Sequence, residues 1–272
     1  MSLDWGGLHA RGSLEGDDEE FAGGRPRGAG SSAKTLMPVV SGLRIEISLG
    51  ELQRLRSLHS KSGLHPRIRA LLPEVLAELV ALELLRPALA WESRSVLAAS
   101  GSRVRLAGGS QLAQAETVVG VLGGADEIVM AVGSIGGTLE QTGREWSASG
   151  RELEGFVLSE IGNLALGKLS DLIPQHVGEW AAERGLEASG ALSPGAAGID
   201  LSAQRVVLEI AAAERIGVAL TGTGMLVPVK SVSMLIGLGH GLPTWSRAQA
   251  CQLCASRDRC RLRPLDPEAT AP

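Results

Sequence analysis

The stretch from Ala188 to His240 reads ASGALSPGAAGIDLSAQRVVLEIAAAERIGVALTGTGMLVPVKSVSMLIGLGH. Pro194-Gly195 fixes a turn, because glycine takes backbone angles that other residues avoid, and Ser193 ahead of it can cap the turn or contact a ligand. An amphipathic helix follows from Ala203 to Ala213, with Gln204 either facing that turn or lying as a surface amide. Two apolar segments come next, separated by Thr221-Gly222-Thr223-Gly224, whose small residues let backbone N–H groups approach a ligand closely. Lys230 is the single cation between Met225 and Leu238. A lysine in such a setting needs a polar partner, a ligand anion or a path for its head to solvent. If the segment is a strand, Lys230, Val232 and Met234 share one face while Ser231 and Ser233 share the other.

C-terminal to this stretch stand the three cysteines of the chain, Cys251, Cys254 and Cys260. An odd number so closely grouped argues against a disulfide framework and for a reducing, cytoplasmic setting. Three thiolates suit an iron-sulfur cluster with one further ligand, or zinc completed by His240 or water; an inert or redox-active thiol set is the other reading. Arg257, Arg259, Arg261 and Arg263 would offset the charge of a thiolate cluster.

Taken over its full length, the composition is that of a globular chain. Of 272 residues, 44% are apolar and 21% charged, but only 3% are aromatic and none is tyrosine, so Leu, Val, Ile and Ala must build the core. A net charge of -4 provides no basic field for nucleic acid. The longest apolar run, Val75 to Trp91, is broken by Glu78, Glu83 and Arg86 and is no membrane span. No secretory signal is legible at the start. Residues 1–38, rich in Gly, Ser, Arg and acid, read as a disordered extension.

Order is expected from Val39. Leu43, Ile45 and Ile47 alternate with Arg44 and Glu46 as in a half-buried strand. Ser48 and Glu51 have capping-box spacing and start a helix, and Pro73 suits the first position of a second one, through Val75, Leu79 and Leu84. Short strands fill Pro87 to Leu112, a short helix Ala113 to Leu122, and a compact strand Glu127 to Val132. The turn Gly133-Ser134-Ile135-Gly136-Gly137 then opens a helix; its N-terminus is either an anion site or a plain strand-to-helix connection. Gly150 to Leu186 holds the longest helical pattern, with Pro174 expected to kink or split it and Gly162, Ala165 and Gly167 allowing a close neighbour. Glu160 beside its stripe is either a ligand sensor or a solvated carboxylate, and His176 reads as a surface residue. The order of elements predicts an α+β fold with a mixed or largely antiparallel sheet and helices packed on it.

The series Gly133-Ser-Ile-Gly-Gly-Thr-Leu-Glu140, Leu158-Ser-Glu-Ile-Gly-Asn163, Ser193-Pro-Gly195, Gln204, Ile216-Gly-Val-Ala-Leu-Thr221 and Pro228-Val-Lys-Ser-Val-Ser233 resembles the activation (reactivation) domain of cobalamin-dependent methionine synthase, and more closely its short stand-alone relatives. It covers residues 39–240, leaving 241–272 as a cysteine-containing tail of the kind those relatives carry. The resemblance implies a central, twisted, largely antiparallel sheet. It also implies assistance to a corrinoid (cobalamin) methyltransferase, in which S-adenosylmethionine and a flavodoxin-like reductant restore an inactive corrinoid. The implied ligand surface draws on Ser193, Pro194, Gly195, Gln204, Thr221, Lys230 and Ser231. Where that family carries an arginine before Pro-Gly and a tyrosine after it, this chain has Ala191 and Ala196. Alternative readings are a non-enzymatic scaffold with a degenerate pocket and an iron-sulfur electron relay.

Overall fold

The computed structural model describes residues 39–253, apart from 56–57, 61–62 and 197. The expectations for residues 1–38 and for Cys254 and Cys260 fall outside them. The described chain begins with a two-residue strand β1 (Val40–Ser41) and a short helix α1 (Leu49–Gln53). The capping box is present: Ser48 Oγ accepts from Glu51 N at 3.2 Å while Ser48 N donates to the Glu51 carboxylate at 2.9 Å. Between them, residues 43–47 show the predicted alternation of burial but form no strand. The carbonyl of Glu46 is taken by the ammonium of Lys168, at 2.5 Å, rather than by a neighbouring strand.

The small hairpin β2 (His59–Ser60) and β3 (Gly63–Leu64) leads into α2 (Pro66–Ala81). This helix starts earlier than the expected Pro73. His65 Nδ1 caps it by accepting from Arg67 N at 3.2 Å, and Pro66 takes the first position. Pro73 lies on its exposed side. Then come β4 (Ala88–Ser100), β5 (Arg103–Leu106), β6 (Gln111–Leu112), α3 (Glu116–Leu122) and β7 (Glu127–Ser134). Helices α4 (Thr138–Ala148) and α5 (Glu152–Glu183), strand β8 (Glu187–Ala188) and helix α6 (Ala203–Ala211) follow. The last elements are the hairpin β9 (Ala219–Leu220) and β10 (Leu226–Val227), strand β11 (Ser231–Gly239) and helix α7 (Arg247–Leu253).

Seven strands form one sheet in the order β6-β5-β4-β7-β11-β8, with β1 also on β4, and every pairing is antiparallel. Strand β4 pairs with β7 over Ala88 to Ser95 and with β5 from Val96 onward, with a register shift between Val96 and Ala98. An irregularity of this kind bends a strand and increases its twist, which is how one long strand serves both halves of a curled sheet. The fold is therefore the α+β arrangement with a largely antiparallel sheet that the sequence predicts.

The two faces of the sheet carry different helices. On one, α5 packs through Leu169 and Ile173 onto Gly133, where an added Cβ would lie 2.7 Å from Ile173 Cδ1. On the other, α6 crosses β7 and β11. Val157, Ile161, Ala165, Leu169, Ile173, Val177 and Ala181 of α5 are all buried. Steps of four overrun a helical turn by about 40°, so this stripe winds around the helix. Near its start α5 closes on α4 at Gly155 and Gly162, and farther along Leu169 and Ile173 face the sheet at Gly133. Pro174 sits inside α5 without splitting it. Each large side chain so buried is worth about 1.5–3 kcal/mol against exposure, and this series fixes α5 along the whole length of the site described next.

Candidate functional site

Strand β11 begins one residue after Lys230, and the predicted alternation holds. Ser233 Oγ donates to Gln204 Oε1 on the α6 face at 3.1 Å, whereas the Lys230 ammonium reaches α5. The predicted ligand surface is thereby divided between the two faces of the sheet.

On the α6 face, Gln204 is buried and spans two elements: its amide donates to Gly224 O at 2.6 Å and accepts from Ser233. Ser231 Oγ donates to Ser134 Oγ at 3.0 Å, and Ser134 Oγ in turn accepts from Gly136 N at 3.0 Å. These polar groups hold the β7–α4 turn and the β9–β10 hairpin against the sheet. In the glycine turn a Cβ on Gly136 would stand 3.2 Å from Arg86 Cβ and one on Gly137 3.4 Å from Pro228, so the turn packs closely against both residues. Thr221 Oγ1 lies 2.9 Å from Thr223 Oγ1 and accepts from Met225 N at 3.0 Å, a local hairpin role. The turn at Ser193-Pro194-Gly195 closes through Ala196 N donating to Ser193 O at 3.0 Å. It meets the hairpin through Leu201, which lies near both Gly195 and Gly224.

The residues just before that turn are covered. The indole of Trp245 lies flat on Gly190, so that a Cβ there would sit 2.1 Å from the ring. Its Nε1 donates to Ala191 O at 3.2 Å, and Gly190 N donates to Pro243 O at 3.2 Å. Two residues on, Arg247 binds both Asp171 oxygens on α5 at 2.7 Å. Segment 243–247 is thus a strap across the turn that carries Ala191. Cys251, on α7 beyond the strap, is half-buried. Among the described residues no group of three or more His, Cys, Asp or Glu side chains is placed to hold a metal ion.

On the α5 face the geometry is open. A cleft of about 540 Å³ lies between α4, the start of α5 and the segment before β11. Leu139, Glu140 and Arg144 line it from α4, Glu152, Phe156 and Ser159 from α5, and Val229 and Lys230 from the opposite side. Its size is that of a small-molecule site. Gly162 makes the space that the sequence predicts, and the neighbours it admits are Leu139 and the Lys230 stem, the latter 3.3 Å from where a Cβ would stand. The Lys230 ammonium donates to Asn163 Oδ1 and, at 3.4 Å, to Ser159 Oγ. Asn163 Nδ2 donates to Glu160 at 3.3 Å, and Lys230 N donates to Glu140 Oε1 at 2.6 Å. Among the described residues Lys230 forms no ion pair. Burial pushes its ammonium below the usual lysine range, and the nearby charges of Glu160 and Glu140 offset this only in part.

No family model matches the sequence, and no curated protein matches it. Among solved structures, the crystal structure of the MetH reactivation domain bound to AdoHcy superposes with a TM-score of 0.51 at 14% sequence identity, over 83% of this chain and 86% of that one. The chain shares the reactivation-domain fold. At this identity the likeness is one of fold alone. In this version of the reactivation-domain fold, Ser231 and Gln204 are tied into the protein itself, Thr221 shapes a hairpin, and Lys230 faces an open cleft. Glu140, Arg144 and Phe156 were not singled out as site residues by the sequence. Their signal was present in the four-residue spacing of Glu140 and Arg144 on one predicted helix. Trp245 gave no sequence signal at all.

Proposed function

We propose that this chain is a reactivation-domain-like protein that assists a cobalamin-dependent methyltransferase, with an S-adenosyl compound as its small ligand. The observation that carries the reading is the extent of the fold likeness, which runs over most of both chains, to a domain solved with AdoHcy. In such a reaction a flavodoxin-like donor supplies one electron to the partner's corrinoid, and the sulfonium methyl group passes to cobalt, leaving AdoHcy. The chain's part is to bind and orient: the curled sheet and α5 form a rigid wall, and the exposed Met225, Val227 and Val229 of the β9–β10 region offer apolar surface to a partner.

A second reading, a scaffold without transfer chemistry, is favoured by the strap. Ala191 and Ala196 offer no guanidinium or phenol, and Trp245 covers the turn beside them. Sedimentation velocity of the full chain mixed with a corrinoid-bearing methyltransferase separates the readings. Assistance predicts a complex whose affinity changes when S-adenosylmethionine or AdoHcy is added. A complex indifferent to both ligands supports the scaffold, and no complex in any condition removes both.

A further inference from the structure

We propose that the cleft between α4 and α5 binds the zwitterionic end of an α-amino acid, with Lys230 and Arg144 receiving its carboxylate and Glu140 and Glu152 its ammonium. The inference rests on the arrangement of charge in the cleft and does not depend on the corrinoid reading. Lys230 is a half-buried cation whose partners, Asn163 Oδ1 and Ser159 Oγ, are both neutral. An ammonium so placed has lost much of its hydration without a directly paired carboxylate, the nearby charges of Glu160 and Glu140 offsetting this only in part, and a third N–H remains beyond the two that these partners use. A carboxylate entering the cleft supplies the missing charge.

A simple anion would fit poorly, because two carboxylates, Glu140 and Glu152, line the same cleft and Glu160 stands close behind Lys230. A ligand carrying both charges on groups of one carbon finds an opposite charge for each, whereas a dianion meets the two carboxylates and a plain amine the two cations. Leu139, Phe156 and Val229 supply the apolar part of the lining, beside Ser147 and Ser159, and can take a medium-sized aliphatic or thioether side chain. Gly162 is part of the device. A Cβ there would stand 2.9 Å from Leu139 and 3.3 Å from the Lys230 stem, so both side chains would have to shift.

The zwitterion has two possible sources, a free amino acid or the amino-acid end of an S-adenosyl compound. Isothermal titration of the full chain with L-methionine, L-leucine, AdoHcy, adenosine and L-methioninol distinguishes them. The proposal predicts that zwitterions bind while adenosine and methioninol, which lack a carboxylate, do not. Binding by methionine and leucine identifies a free amino-acid site, and binding by AdoHcy alone identifies the tethered form. Lys230→Met should weaken the bound zwitterion at least tenfold with its thermal midpoint unchanged or raised, and Lys230→Arg should recover part of the affinity. Arg144→Ala, at an exposed position, should weaken it by a smaller factor without touching the fold. The proposal is overturned if no zwitterion binds, if methioninol binds as well as methionine, or if both single variants bind like the parent. A negative corrinoid assay leaves it standing, whereas AdoHcy binding that is unaffected by Lys230→Met overturns it and leaves the corrinoid reading standing.

Discussion

Lys230 stands at the head of β11 with its ammonium half-buried against α5, held by Asn163 and Ser159 rather than by a carboxylate. Its folded pKa is lowered by burial, so below that value the lysine is charged in both states and its desolvation cost is fully present. As pH rises from the lowered value to the ordinary lysine value, the unfolded chain holds the proton more tightly and stability rises across that window. Urea unfolding of Lys230→Met should accordingly show a protein as stable as the parent or more so at neutral pH, with the difference shrinking in the alkaline window. A loss of more than about 2 kcal/mol at neutral pH would instead mark Lys230 as a structural residue. Gln204 is the converse case. Its amide satisfies Gly224 O and Ser233 Oγ in a buried setting, so Gln204→Leu should cost about 1–3 kcal/mol in the same measurement by stranding both. The sequence marked both residues and could assign neither role. Gln204 read equally as ligand contact or surface amide, because the rotation of α6 about its axis against the sheet depends on packing that no local pattern encodes. Lys230 was placed on its correct face because strand alternation is a local property.

At the scale of elements, α5 carries the site. Leu169 and Ile173 pack on the sheet, while the part near Gly155 lies so close to α4 that an added Cβ would sit 2.8 Å from Gly143 O. Leu169→Ala should destabilise by about 2–5 kcal/mol in denaturant melts, and a value below about 1 kcal/mol would mean that the sheet contact is not close-packed. The length of α5, its close approach at Gly162 and the α1 capping box were legible because periodicity, small residues and caps act locally. Residues 43–47 show what is not legible. Their alternation is real in burial, yet a strand needs a partner edge, and Lys168 from α5 takes the Glu46 carbonyl. The strap was hidden for the same reason, since Trp245 finds Gly190 only after folding. Gly190→Ala should expel the indole, increasing protease access to segment 243–247 while the sheet keeps its melting behaviour. Unchanged proteolysis would refute the strap as an ordered cover.

For the whole molecule, the curled antiparallel sheet separates a closed face, where serines and Gln204 tie loops together, from an open face that carries the cleft. A largely antiparallel α+β architecture followed from the order of elements and the varied lengths of the strand connections, whereas the bend in β4 and its two sets of partners did not. Among the described residues no helix is long and apolar enough to cross a membrane. The Arg184–Glu127 pair joins the end of α5 to the start of β7, with Arg184 holding the Glu127 carboxyl below its usual range. That contribution is complete above the ordinary carboxylate value and is lost as pH falls through the lowered one, so Arg184→Ala should narrow the gap to the parent under acid. The molecule as a unit shares its fold with a reactivation domain, and the proposed use of that fold is assistance to a cobalamin-dependent methyltransferase. Its most direct test follows corrinoid absorbance when the full chain, S-adenosylmethionine and a flavodoxin-like reductant are added anaerobically to a methyltransferase holding its cobalt in the inactive, oxidised form. The account predicts conversion to the methylated corrinoid that requires the chain; conversion that proceeds equally without it, or none with it, would contradict the account.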